Sequence, residues 1–215
     1  MTQPIFLDFD GVIVDSLGIY IDLYKDLCKK HSKTLPVADI LGFRAWYEAN
    51  WEKNFFEMGF TNEEYLQICT DLPQTLDYSA TALFQGIPEM LREFAKSDHP
   101  MVIVSTAPTQ SIKERLEAAE LFELFEDVTG SDDGSTHKAQ RLASLMKRLD
   151  AETGVMVGDT NHDIEAGQQN NLVTVGVTYG WITPERVEAA NPNFLVEYPE
   201  DLHGAISKAL EICSN

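Results

Sequence analysis

Short apolar runs that alternate with longer amphipathic segments constrain the fold of this chain most strongly. Five runs have the length and composition of strands. They are PIFLDF, MVIVS (101–105), FEDVTG (125–130), GVMVGD (154–159) and LVTVGV (172–177). Between the later runs, QSIKERLEAAELF and HKAQRLASLMKRL carry apolar residues at spacings of three and four, which predicts helices. This alternation predicts an α/β fold with a mostly parallel sheet covered by helices on both faces.

The segment from 18 to 84 interrupts the alternation. It shows helical periodicity and many aromatic residues but no convincing strand, and it is too long for one crossover helix. We therefore predict a helical cap domain over 18–84, inserted into an α/β core domain formed by 1–17 and 85–215. Hinges are expected near 16–18 and near 84–86.

The acidic composition restricts the class of partner. With 16 Lys and Arg against 35 Asp and Glu, the formal charge is −19, which repels nucleic acid and anionic membrane surfaces. No run approaches the roughly 18 apolar residues of a membrane span. The three cysteines match no metal-binding spacing, which favours a reduced compartment. We expect a soluble cytoplasmic protein, a monomer or homodimer, with neither nucleic acid nor membrane as a partner.

Polar side chains follow three of the predicted strands. They are Asp8 and Asp10 after the first run, Ser105 and Thr106 after the second, and Asp159 and Asp163 after the fourth. Taken alone, Asp8 and Asp10 could simply mark a turn. The carboxyl ends of parallel strands meet at one edge, however, where open α/β sheets bind ligands, and Lys138 starts a helix between these segments. Clustered carboxylates need a cation, and Mg²⁺ is the default for oxygen ligands.

These residue types together suit phosphoryl transfer through an aspartyl phosphate. One carboxylate attacks phosphorus in line, and a metal ion offsets the repulsion between the two anions. A hydroxyl and a lysine hold the other phosphoryl oxygens as charge develops on them. A second carboxyl group protonates the leaving alcohol and then activates water.

In order and spacing, DFDGVIVDS, VIVST, Lys138 and GDTNHD resemble the four motifs of the haloacid dehalogenase superfamily. The resemblance spans residues 5–163, and the insertion is similar to the helical cap of the phosphoglycolate phosphatase-like branch. It implies a Rossmann-like core and a Mg²⁺-dependent phosphatase acting on a small phosphorylated metabolite, phosphoglycolate-like or a sugar phosphate. After Ser105, however, the chain reads Thr106-Ala107-Pro108 where many members of that branch have Asn and Lys.

The resemblance also implies a role for each motif residue. Asp8 would be the nucleophile and Asp10 the general acid and base. Mg²⁺ would be held by Asp8, the backbone carbonyl of Asp10 and Asp159, with Asp163 supporting the site. Ser105 and Lys138 would bind the phosphoryl group. The hydroxyl of Thr106, at the same strand end, is a further candidate for phosphate binding. Arg44, in the predicted cap, is a candidate contact for the rest of the substrate.

Two other functions remain open at this stage. A phosphomutase of the β-phosphoglucomutase type would use the same residues and return the phosphoryl group to a second hydroxyl. A signalling module would keep its aspartyl phosphate and change a binding surface. Only the transfer of phosphate to water, to a sugar or to neither separates the three.

Overall fold

The computed structural model describes residues 3–132 and 137–214. Part of the polar loop GSDDGSTH, at 133–136, therefore lies outside the described residues. The strands of the described part are β1 (Ile5–Leu7), β2 (Val14–Asp15), β3 (Ala82–Leu83), β4 (Met101–Val104), β5 (Asp127–Thr129), β6 (Val155–Gly158), β7 (Val173–Val177) and β8 (Phe194–Val196). Within this part, six of them form a parallel sheet in the order β5-β4-β1-β6-β7-β8. The predicted α/β fold with a parallel sheet is confirmed.

Strand β1 lies at the centre of the sheet, and its register decides which residues meet at the edge. Leu7 is opposite Ile103 of β4 on one side and Val157 of β6 on the other. Because parallel strands run in the same direction, the residues that follow β1, β4 and β6 emerge at one edge. The predicted polar strand ends are therefore brought to the same place.

Strand β8 was not among the predicted strands. It has three residues, of which Phe194 is partly exposed and Leu195 is 48% exposed, because β8 is the last strand of the sheet. An edge strand packs on fewer neighbours, so its sequence lacks the continuous apolar run of a buried parallel strand.

The helices flank the sheet and fill the insertion. Their bounds are α1 (Leu17–Lys30), α2 (Ile40–Trp46), α3 (Trp51–Glu57), α4 (Asn62–Thr75), α5 (Ile87–Phe94), α6 (Thr109–Ala118), α7 (Lys138–Arg148), α8 (Asn161–Gln169), α9 (Pro184–Ala189) and α10 (Leu202–Cys213). Helices α6 and α7 follow the predicted helical patterns closely.

The two faces of the sheet bury two separate apolar clusters. Successive residues of a strand point to opposite faces. Accordingly, Phe6 packs with Leu142 of α7 on one face, while Ile5 and Leu7 pack with the helices of the other, among them α10 through Ile206. All of these side chains are fully buried. At about 2 kcal/mol for each large apolar side chain removed from water, this two-sided burial is the main source of the sheet's stability.

Helices α1 to α4 occupy most of residues 18–84, which we call the inserted segment. Its interior is aromatic: the ring of Tyr24 contacts Phe43, Trp46, Trp51 and Phe55. The expectation that this segment holds no strand is wrong at its end, because Ala82 and Leu83 pair antiparallel with Asp15 and Val14. The division of the chain into a cap domain over 18–84 and a core domain stays a prediction.

No helix in the described ranges is long and apolar enough to cross a bilayer.

Candidate active site

The side chains of Asp8, Asp159 and Asp163 form a buried carboxylate cluster at the edge of the sheet. One oxygen from each lies within 4.8 Å of the others. Asp8 directly follows β1, Asp159 directly follows β6, and Asp163 lies in the first turn of α8. Residues that are far apart in the chain thus meet because β1 and β6 are neighbours in the sheet.

Glycines make room for this cluster. Gly11 has a φ of 74°, and a Cβ on it would lie 2.1 Å from Oδ2 of Asp159. Gly180 approaches the same carboxylate, and a Cβ there would lie 2.3 Å from that oxygen. Any other residue at position 11 would both strain the backbone and displace the Asp159 carboxylate.

Lys138, the first residue of α7, bridges two of the carboxylates. Its Nζ lies 2.9 Å from Oδ2 of Asp8 and also donates to Oδ1 of Asp163. Burial alone would lower the pKa of Lys138, but the charges of Asp163 and Asp8 outweigh it and raise the pKa above its ordinary value. Lys138 is therefore a permanent cation in the site.

Both carboxylate oxygens of Asp163 have partners in the described structure. Oδ1 accepts from Lys138, and Oδ2 accepts from the backbone N–H and the hydroxyl of Thr160 at 3.0 and 2.6 Å. Burial raises the pKa of Asp163, but attraction to Lys138 and these hydrogen bonds hold it below the ordinary value. Asp163 thus orients Lys138 and the start of α8.

The buried charges of Asp8 and Asp159 are compensated by fewer neighbouring groups than that of Asp163. Oδ1 of Asp8 accepts from the N–H of Phe9 at 2.7 Å, and Oδ2 of Asp159 accepts from the N–H of Trp181 at 2.6 Å. Burial raises the pKa of Asp8 despite Lys138. Burial, with the charges of Asp163 and Asp8, raises the pKa of Asp159 well above its ordinary value. Three carboxylates and one ammonium leave a surplus of negative charge, which fits the oxygen-ligand set of a divalent cation.

Asp10 lies beside the cluster but faces the inserted segment. Its Oδ2 accepts from the hydroxyl of Tyr78 at 2.9 Å, and Tyr78 in turn lies 2.8 Å from the hydroxyl of Tyr20. Burial raises the pKa of Asp10 to about 7, although the hydroxyls of Ser16 and Tyr78 favour its charged form. A carboxyl group with a pKa near neutral can both release and accept a proton.

Ser105 and Thr106 follow β4 and differ in their exposure to solvent. Ser105 is fully buried, and its Oγ accepts from the N–H of Ala107 at 3.1 Å, whereas Thr106 is exposed. Arg141 of α7 donates Nη1 to the backbone carbonyls of Ser105 and Gly130, both at 2.6 Å. It ties the ends of β4 and β5 together at the site.

Arg44 contacts the core instead of the carboxylate cluster. Its Nη2 donates to the carbonyls of Thr178 and Ile182 at 2.7 and 2.8 Å. The guanidinium of the candidate substrate contact is thus engaged through Nη2 with backbone carbonyls of the residues after β7. A contact between Arg44 and substrate stays a prediction.

Sequence reasoning missed Tyr20, Tyr78 and Arg141. Tyr78 is 68 residues from Asp10, and nothing in the local pattern of either segment links them. Arg141 could have been noticed as a charged residue on the apolar face of α7, one turn after Lys138.

Comparisons with known proteins identify a family. A family model described as haloacid dehalogenase-like hydrolase matches residues 5–177. A protein named "Probable phosphatase IndB" from Dickeya dadantii is 27% identical, with 100% of this chain and 98% of the relative aligned. A protein named phosphoglycolate phosphatase from Photobacterium profundum is 34% identical over 90% of each chain.

A solved structure shows the same fold. A hydrolase of the haloacid dehalogenase-like family from Streptococcus pneumoniae superimposes with a TM-score of 0.80 at 19% identity, over 95% of this chain and 98% of that one.

Proposed function

Because the chain belongs to the haloacid dehalogenase-like hydrolase family, we propose that it is a Mg²⁺-dependent phosphatase that hydrolyses a small phosphorylated metabolite through an aspartyl phosphate. The observation that carries the proposal is the placement of Asp8. Its carboxylate is buried, held by Lys138 at 2.9 Å and within 4.8 Å of two further carboxylates. The names of the phosphatase relatives support the same activity.

Asp8 is the nucleophile of the first step. Its Oδ1 is held by the N–H of Phe9 and its Oδ2 by Lys138, so the carboxylate has one orientation. One of its oxygens attacks phosphorus, the bond between phosphorus and the ester oxygen breaks, and the phosphoryl group is transferred to Asp8. Fixing the nucleophile in this way contributes by proximity and orientation.

Asp10 is the general acid and then the general base. It gives its proton to the ester oxygen as that bond breaks, so that the alcohol leaves neutral. Water then attacks phosphorus and gives a proton to Asp10, the bond from phosphorus to Asp8 breaks, and both carboxyl groups return to their starting states. The raised pKa of Asp10 suits both halves of this cycle.

Lys138, Ser105 and Thr106 bind the phosphoryl group. The Lys138 ammonium offsets charge on the phosphoryl oxygens, and Ser105 keeps its hydroxyl proton available because its Oγ acts as an acceptor for Ala107. Arg141 fixes the Ser105 backbone through its carbonyl.

The residues that would hold Mg²⁺ are Asp8, the backbone carbonyl of Asp10 and Asp159. When bound, the cation would neutralise the surplus charge of the cluster and polarise a phosphoryl oxygen. Asp163 supports this site, since both of its oxygens already have partners in the described structure.

The inserted segment acts as a cap that limits substrate size. Asp8 is 6% exposed and Asp159 is 1% exposed, so an ester reaches them only when the segment moves away. Aromatic rings cover the Asp10 and Asp159 side, with Tyr20 at 4.4 Å and Tyr47 at 5.0 Å from the ring of Trp181. This enclosure suits a small metabolite and excludes polymers.

The experiment that tests the proposal is phosphate release from a panel of small esters with Mg²⁺ or with a chelator. The panel includes phosphoglycolate, sugar phosphates, nucleotides and 4-nitrophenyl phosphate. Asp8→Asn is expected to lower release by at least about 1000-fold, because it removes the nucleophile. Asp22→Asn, an exposed acid on α1, should leave it unchanged. Phosphate release by Asp8→Asn at the wild-type rate would overturn the proposal, as would no release from any ester.

A further inference from the structure

Tyr78 lies against the carboxyl group that we assign as the general acid and base. Its hydroxyl donates to Oδ2 of Asp10 at 2.9 Å, and its ring centroid is 5.7 Å from that of Phe9. The side chain is almost completely buried, so water does not compete for this hydrogen bond. Tyr78 belongs to the inserted segment, whereas Asp10 follows β1, so the contact joins two separate parts of the chain.

The hydroxyl of Tyr20 makes the second link of this hydrogen-bonded chain. It lies 2.8 Å from the Tyr78 oxygen. Each tyrosine hydroxyl has one proton, and that of Tyr78 points to Asp10, so Tyr20 is the donor and Tyr78 the acceptor. The ring of Tyr20 packs edge-on against Trp51 at 5.5 Å and Trp181 at 4.4 Å, which fixes its position.

The turn that carries Tyr78 is anchored to the sheet side of the molecule. Arg115 of α6 donates Nε to the hydroxyl oxygen of Thr81 at 3.1 Å and Nη2 to its carbonyl at 2.9 Å. The Thr81 hydroxyl donates to the carbonyl of Tyr78 at 2.7 Å. Tyr78 is therefore fixed at two points: Thr81 holds its backbone carbonyl, and Tyr20 holds its hydroxyl.

We propose that Tyr78, supported by Tyr20, is a positioning residue that orients Asp10 so that its transferable proton is carried on Oδ1. This inference rests on the proposed function of Asp10. Because Oδ2 already accepts from Tyr78, a proton on the carboxyl group occupies Oδ1, which has no hydrogen-bond partner among the described residues. That proton passes to the ester oxygen as its bond to phosphorus breaks and the bond from Asp8 forms.

The hydrogen bond between Tyr78 and Asp10 also affects the reaction cycle, because Tyr78 belongs to the inserted segment. The hydrogen bond exists only while the end of the inserted segment packs on the core as in this structure. Asp10 is thus fully oriented as an acid only when the site is covered, which couples proton transfer to the exclusion of water.

The test is a single-turnover measurement of alcohol release with excess enzyme and saturating Mg²⁺. A series of phosphate esters runs from 4-nitrophenyl phosphate, whose leaving group needs no proton, to an alkyl phosphate, whose leaving group does. The readout is the slope of the logarithm of the rate against the pKa of the leaving alcohol. A general acid flattens this slope because it supplies most help to the poorest leaving groups.

Tyr78→Phe removes the hydroxyl and keeps the ring. We expect it to slow alcohol release from the alkyl ester by about 10- to 100-fold, part of the usual contribution of a general acid. Release of nitrophenol should change by less than about 3-fold, so the slope becomes steeper. Tyr20→Phe should change the slope in the same direction by a smaller amount, and it decides the question if Tyr78→Phe does not fold.

Tyr24→Phe is the matched control. Tyr24 is a buried tyrosine of the same segment, and its hydroxyl accepts a hydrogen bond from Nδ2 of Asn54. In the variant, that nitrogen keeps its hydrogen bond to the carbonyl of Glu48. Its slope should equal that of the wild type. Slowing of all esters by one factor in Tyr78→Phe, with an unchanged slope, would overturn the inference, and so would no effect at all.

Asp10→Asn separates failure of this inference from failure of the proposed function. A steeper slope in Asp10→Asn with no change in Tyr78→Phe rejects only the role of Tyr78. An unchanged slope in Asp10→Asn rejects the assignment of Asp10 itself.

Discussion

Among single residues, Asp159 gives the strongest physical reason for the proposed cation. It is 1% exposed, and the N–H of Trp181 is its one hydrogen-bond donor among the described residues. Lys138 is engaged with Asp8 and Asp163 and does not reach it within ion-pair distance. A buried carboxylate without a counter-charge is costly, and the raised pKa of Asp159 expresses that cost.

Replacing Asp159 should therefore separate metal binding from folding. Without metal, Asp159→Asn is expected to be at least as stable as the wild type, because it removes an uncompensated buried charge. Mg²⁺ at 100 times its dissociation constant should stabilise the wild type by about 2.7 kcal/mol and the variant hardly at all. Thermal unfolding with Mg²⁺ and with chelator measures both effects. An equal Mg²⁺ shift in Asp159→Asn would contradict the assignment, and Asp22→Asn should keep the full shift.

At the scale of elements, two arginines connect the inserted segment to the loop and helix after β7. Arg44 of α2 donates to the carbonyls of Thr178 and Ile182. In the opposite direction, Arg186 of α9 donates to the carbonyl of Tyr47 at 2.6 Å and to Oε1 of Glu48 at 3.0 Å. These contacts tie the inserted segment to the residues after β7.

Arg44→Met tests whether this arginine holds the segment or reads the substrate. We expect the free energy of unfolding to fall by about 2 kcal/mol, since two charged hydrogen bonds are lost. Any rise in KM should be equal for phosphoglycolate and for a phosphate ester of similar size whose organic part carries no charge. A rise confined to phosphoglycolate would show instead that Arg44 binds a carboxylate of the substrate. Arg92→Met, at an exposed position on α5, should change neither quantity.

The elements that the sequence predicted are those whose pattern is local. Strands β1, β4, β6 and β7 are continuous apolar runs because both faces of the sheet are covered. The apolar face of α7 can be recognised from the spacing of its apolar residues. Strand β8 and the β2–β3 pair have two or three residues each and are defined by their partners. Length alone is not the reason, because β1 and β5 also have three residues. Strand β8 has exposed positions at the edge of the sheet, and β2 and β3 have only two residues each, so none of the three has the pattern of a buried strand.

The same distinction applies to the site. Asp8, Ser105 and Asp159 could be grouped because each ends a strand and parallel strands share an edge. The contact of Tyr78 with Asp10 depends on how the inserted segment returns to the sheet, and the contacts of Arg44 depend on how α2 packs. Tertiary contacts of this kind cannot be predicted from the spacing of residues along the chain.

At the scale of the whole molecule, the sheet and the inserted segment have different tasks. The sheet brings the ends of β1, β4 and β6 together and so places Asp8, Ser105 and Asp159, the residues of the proposed site, at one edge. The inserted segment covers the site and supplies Tyr20 and Tyr78. With a formal charge of −19, the molecule repels anions at long range, so under the proposed function the attraction of an anionic ester would come from the buried Lys138 and from a cation held by the carboxylate cluster.

In the proposed reaction, the phosphoryl group passes through a covalent bond to Asp8. The most direct test is the stereochemical course at phosphorus, measured with an ester made chiral at phosphorus by oxygen isotopes and with an acceptor alcohol in place of water, so that the product is again a chiral ester. Transfer first to Asp8 and then to the acceptor inverts phosphorus twice, so the account predicts retention of configuration. Inversion would mean a single direct attack by the acceptor and would contradict the account.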